Sequence, residues 1–133
     1  MVTRAWAAAT LAILIVLTGC ATVHDPPPLP TGTLWGYTTS EQAGTQKLVI
    51  TYERVECNIV RAKYAREARA AMYLPNCQQL SVAPGGDYWI VPATRMDGYV
   101  GANTREECEA LERQSRDSAE PARTCQGVRV EFR

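Results

Sequence analysis

A chain of 133 residues with 14 basic and 14 acidic side chains carries no net charge, so it lacks the basic surplus that binds nucleic acid or an anionic surface. A hydrophobic fraction of 46% argues against a disordered chain, and the length suits one domain with one core. The only histidine, His24, lies in a proline-rich stretch, which excludes Ser-His and Cys-His catalytic pairs from the domain that follows.

The first element in chain order is an export signal. Arg4 supplies a positive start, and Ala7 to Leu17 form an apolar run of eleven residues. A membrane-crossing helix needs about 20. The run closes on Leu17-Thr18-Gly19-Cys20. This pattern resembles the lipobox of bacterial lipoproteins: an aliphatic residue, two small residues, then the cysteine that receives lipid. The resemblance implies that residues 1–19 are removed and that Cys20 becomes the acylated, palmitate-bearing N-terminus, fixed to the membrane through its lipid. Ala21 is not acidic, which by the same resemblance implies the outer membrane, facing the periplasm, in a host that has one.

A spacer comes next. From His24 to Gly32 the chain holds Pro26, Pro27, Pro28 and Pro30. Prolines lack amide donors and hold extended geometry, so residues 20–32 read as a semi-rigid linker outside the core. At about 3.1 Å per residue it would hold the domain roughly 30–40 Å from the lipid.

The domain, residues 33–133, is expected to be a duplication. Cys77-Gln78-Gln79-Leu80-Ser81-Val82 matches Cys125-Gln126-Gly127-Val128-Arg129-Val130. Upstream, Arg54 to Cys57 matches Arg105 to Cys108, and Leu34-Trp35 matches Tyr88-Trp89. The repeats are residues 33–83 and 87–133.

In the first repeat, Thr33–Thr38 and Lys47–Tyr52 read as strands joined through Ser40–Gln46. A helix follows from about Glu53 to Tyr73, with Cys57, Val60, Tyr64, Ala68, Ala71 and Met72 on one face, and Pro75-Asn76 stops it. Gln79–Ala83 is the closing strand. Ala83-Pro84-Gly85-Gly86-Asp87 carries turn chemistry and predicts a hairpin into the second repeat. There, Tyr88–Ala93 and a weaker piece around Gly98–Gly101 are the strands. Thr104 with Glu107 forms a capping box for a helix over Arg105–Ser118, whose buried stripe is thin: Cys108, Leu111 and Ser115. Val128–Phe132 ends the fold. The order β-(β)-α-β-β-(β)-α-β predicts an α+β two-layer sandwich, an antiparallel sheet carrying two helices on one face. It resembles the ferredoxin-like βαββαβ order, which by itself carries no function.

Beyond Cys20, an exported domain with Cys57, Cys77, Cys108 and Cys125 reads as tied by two disulfides. The repeated spacing, 20 and 17 residues, favours Cys57–Cys77 with Cys108–Cys125; Cys57–Cys125 with Cys77–Cys108 stays open. No paired short spacing suits zinc or redox exchange, and no residue pattern singles out a metal, a cofactor or a catalytic group. Arg54, Arg61, Lys63, Arg66 and Arg69 could form a basic helix face, but Glu53, Glu56 and Glu67 offset them, and Lys63–Glu67 reads as an i, i+4 pair. The second helix is acidic, with Glu106, Glu107, Glu109, Glu112 and Asp117. Trp35, Tyr37, Tyr88 and Trp89 read as core aromatics before a recognition platform. Asp87 and Asp97 read as turn residues. The expected function is a lipid-anchored, non-catalytic binding or structural module with an envelope partner. The alternative is a small-ligand-binding or enzymatic periplasmic domain.

Overall fold

The computed structural model describes residues 27–40, 44–67 and 75–133. The expected export signal and Cys20 lie outside them, as do Ala68, Ala71 and Met72 of the first helical face and Arg69 of the expected basic face. In chain order the elements are β1 (Leu34–Ser40), β2 (Gln46–Thr51), α1 (Arg54–Glu67), β3 (Gln78–Pro92), β4 (Gly98–Ala102), α2 (Arg105–Ser115) and β5 (Gln126–Phe132). The class is α+β, with five antiparallel strands and two helices.

The sheet runs β1-β2-β4-β3-β5, and β1 also pairs with β3, so four strands close into a ring. Closure rests on Leu34, Trp35 and Gly36 lying opposite Leu80, Gln79 and Gln78. Alternation along the strands then sorts the side chains. Leu34, Leu48, Ile50, Leu80, Ile90 and Val128 form one buried cluster. Their neighbours on the other face pack under the helices. Trp35, Tyr37 and Val49 meet Cys57 and Cys77 beneath α1. Trp89, Val91 and Val100 meet Cys108 and Cys125 beneath α2.

These two helix-side clusters correspond position by position, and so do the strand registers. Trp35 faces Thr51 and Gln79, while Trp89 faces Ala102 and Gly127. The two halves meet at symmetric pairs, Val49 opposite Val100 and Val82 opposite Val130. A pseudo-twofold axis therefore passes through both pairs.

Three features differ from the sequence reading. The ferredoxin-like order does not form. β2 and β4 each reverse the chain before a helix, so the strand after the helix returns antiparallel to the strand that opened the repeat and pairs with it directly. The expected hairpin at Pro84–Asp87 is absent as well. β3 runs through it, and its register against β5 shifts so that Val128 faces both Pro84 and Tyr88. Gly85 makes this possible, because a Cβ there would lie 2.8 Å from that of Arg129. The spacer also ends earlier than expected. Leu29 packs on the ring cluster, Pro30 is buried, and Gln126 Nε2 donates to the Pro27 carbonyl at 2.8 Å. Proline excludes backbone donation but not apolar contact, and these residues supply the contact.

Burial sets an alkaline limit on the fold. It pushes the Tyr37 phenol up to about 12, with Tyr64 adding to the rise and Arg61 opposing it. Tyr99 is also pushed up to about 12, first by burial and then by its hydrogen bond with Tyr52. A raised phenol favours the neutral form in the folded state. Its contribution is full below the ordinary 10.0 and is lost as pH climbs toward 12. A phenolate absorbance titration should show a late-titrating class in the native protein that vanishes in urea. Ionisation of every tyrosine near the ordinary value would contradict the burial of Tyr37.

Candidate functional groove

α1 rests on β1 and β2, and α2 rests on β3 and β4. Each helix is held near its start by a disulfide. Cys57 bonds Cys77 with Cα atoms 6.2 Å apart, and Cys108 bonds Cys125 with Cα atoms 6.3 Å apart, the within-repeat scheme. α2 starts as its sequence requires, with the Thr104 hydroxyl accepting from the Glu107 amide at 3.3 Å.

A second tie per repeat was not legible from residue type. Four residues after the helix cysteine stands Arg61 in one repeat and Glu112 in the other. Arg61 Nε donates to the Pro75 carbonyl at 2.6 Å, while Glu112 Oε1 accepts from the Arg123 amide at 3.1 Å. Both partners lie two residues before the second cysteine. Glu112 is only 4% exposed and also pairs with Arg116 at 2.8 Å. Arg123 reaches the Pro92 carbonyl and, at 3.0 Å, the Ser115 hydroxyl. The useful signal was position: four residues past a buried cysteine is one helical turn on the same face.

Between α1 and α2 lies a groove of about 700 Å³. Ile59 and Val60 form one wall, Leu111 the other, and Val100 contributes on the sheet side. Met96, in the β3–β4 turn, lines it as well. That turn is tied to α1 because the Asp97 amide donates to Glu56 Oε1 at 3.2 Å. Lys63 and Arg95 stand exposed at the rim. The Lys63–Glu67 pair forms at 4.0 Å between exposed side chains, a geometry that contributes little. Ile59 is 62% exposed and Val55, one turn earlier, is 68% exposed, so an apolar strip continues along α1.

The other sequence candidates go elsewhere. Trp35, Tyr37 and Trp89 sit under the helices, and the Tyr88 hydroxyl donates to Gln46 Oε1 at 2.9 Å. Arg54 lies over the Trp35 ring, 5.3 Å from its centroid, and Arg61 is engaged as described, so two of the five cations of the expected basic face are bound inward. Asp87 is exposed at the end of the crossing over β5. Among the described residues, no three His, Cys, Asp or Glu side chains converge as metal ligands. Comparison with family models, curated proteins and solved structures finds no match for the chain.

Proposed function

We propose that this protein is a lipid-anchored module of the bacterial envelope, attached through Cys20, that works by binding another envelope component and not by catalysis. The export signal and lipobox residues support the anchor. Ala21 supports the outer membrane as its destination. The observation that carries the binding reading is the open groove, whose apolar wall continues onto the exposed Val55 and Ile59. Large exposed aliphatic pairs on a small domain mark working surfaces. Strand addition is the competing reading: β2 and β4 have neighbours on both edges, but β5 pairs with β3 alone and leaves one edge open.

Two measurements test this. Cys20→Ser should abolish palmitate labelling and release the chain from the membrane fraction; unlipidated, soluble wild-type protein would overturn the anchor. A photocrosslinking residue at Ile59 should capture a reproducible envelope component in cells, while one at the exposed Arg129 on β5 should not. Equal capture from both positions, or from neither, would remove the groove as the working surface.

A further inference from the structure

We infer that the two disulfides are installed stepwise, in chain order, by a dithiol oxidase of the envelope, and that no disulfide isomerase is needed. This rests on the export reading above and adds the class of reaction that completes the protein. Four observations carry it.

The first is order. Within the domain the first cysteine bonds the second and the third bonds the fourth, Cys57 to Cys77 and Cys108 to Cys125. A chain exported N-terminus first presents Cys77 to an oxidising compartment before Cys108 arrives. Joining whichever thiols have arrived then gives the native scheme.

The second is span. The native bonds close separations of 20 and 17 residues, and every other pairing of the four closes a longer loop. Loop closure becomes less favourable with length, so an unfolded chain leans toward the same scheme.

Third, the fold cannot serve as the template. α1 buries only Cys57, and α2 only Cys108 and Glu112, so each helix is seated largely through its bond. A reduced chain has no finished structure to bring its cysteines together. Connectivity has to come from the chain itself.

Access is the fourth. In the folded domain Cys57 and Cys108 are fully buried, while Cys77 and Cys125 are only 7% and 8% exposed. An attacking thiolate must reach a sulfur, so a native bond that has been folded over is out of reach of exchange. The first correct pairing is final.

For each bond, one cysteine thiolate attacks the disulfide of the oxidase and forms a mixed disulfide, freeing one oxidase thiolate. The second cysteine thiolate displaces the oxidase, which leaves as a dithiol. Two electrons pass to the oxidase, and the two protons lost by the substrate thiols balance the two it gains.

The test uses the full chain, pulse-labelled in bacteria, with free thiols blocked at quenching and bonds mapped by non-reducing digestion. Cells lacking the oxidase should lose both bonds. Cells lacking the isomerase should form both at an unchanged rate. Chain order also demands an asymmetry between the repeats. Cys77→Ser leaves Cys57 waiting when Cys108 arrives, so without isomerase a Cys57–Cys108 bond should appear and Cys125 should stay free. Cys125→Ser comes too late to disturb the first repeat, and Cys57–Cys77 should form as in the wild type. The readout is the bond itself, so a variant that fails to fold still reports.

Isomerase dependence of the wild type, or an early Cys77–Cys108 bond, would overturn the inference. So would a Cys77→Ser chain that forms Cys108–Cys125 at wild-type yield. An exported chain that needs the isomerase defeats this inference alone. A wild-type chain that is never exported and stays reduced defeats the preceding reading as well.

Discussion

Replacing all four domain cysteines by alanine should leave the chain unfolded under conditions where the wild type is native. Closing loops of 20 and 17 residues stabilises by about 3 kcal/mol each on the chain-entropy account, against a total of roughly 5–15 for a domain. The two loops are nearly equal in length, so their entropic contributions should differ by well under about 1 kcal/mol. Any larger difference between the two single-disulfide variants reports packing. Cys57→Ala with Cys77→Ala should be the more damaging pair. Within α1 only Cys57 is buried, whereas α2 also buries Glu112, which is bonded to the Arg123 amide and paired with Arg116, so less remains to hold α1 once its bond is gone. Urea midpoints followed by circular dichroism would show this, and a four-cysteine variant with a native midpoint would contradict it.

Gly101→Val should cost about 3 kcal/mol or more, the range of severe overpacking. A Cβ at Gly101 would stand 2.2 Å from the Trp89 carbonyl oxygen and 2.9 Å from Ile90 Cγ2. The carbonyl belongs to the β3–β4 ladder and cannot step aside without breaking it. Ile90 fills the ring cluster and has nowhere to move. Gly86→Ala is the matched control, since a Cβ there meets nothing within 4 Å, and it should change stability by about 0.5 kcal/mol or less. Equal urea midpoints for the two variants would mean that the ring is looser than its contacts indicate.

The residues that announced themselves in the sequence were those whose partners lie within one repeat. Cys57 finds Cys77 and Cys108 finds Cys125 because spacing within a duplicated unit carries over to space. Trp35 and Trp89 occupy equivalent places for the same reason. Ring closure was not legible. It depends on three pairs between β1 and β3 whose register no local pattern specifies. The groove was not legible either, because it is the space between two helices that each read as an independent amphipathic segment. Pro84-Gly85-Gly86 was read as turn chemistry, although its glycine serves close passage against Arg129. A signal for Leu29 and Pro30 did exist. Pro30-Thr31-Gly32-Thr33-Leu34-Trp35 repeats Pro84-Gly85-Gly86-Asp87-Tyr88-Trp89 in its proline, second glycine and tryptophan, so the repeat begins inside the supposed spacer.

The docking of Leu29 and Pro27 also shortens the leash. With lipid on Cys20, only residues 21–26 separate the leaflet from the first docked residue, a span of at most about 25 Å. On so short a line the domain cannot patrol the compartment. On the proposed anchor, its encounters with partners at that leaflet would be nearly intramolecular, governed by a high effective concentration that falls as the line lengthens. Weak intrinsic affinity would then be enough to engage a partner at the membrane, and that engagement would fall once the domain is cut loose.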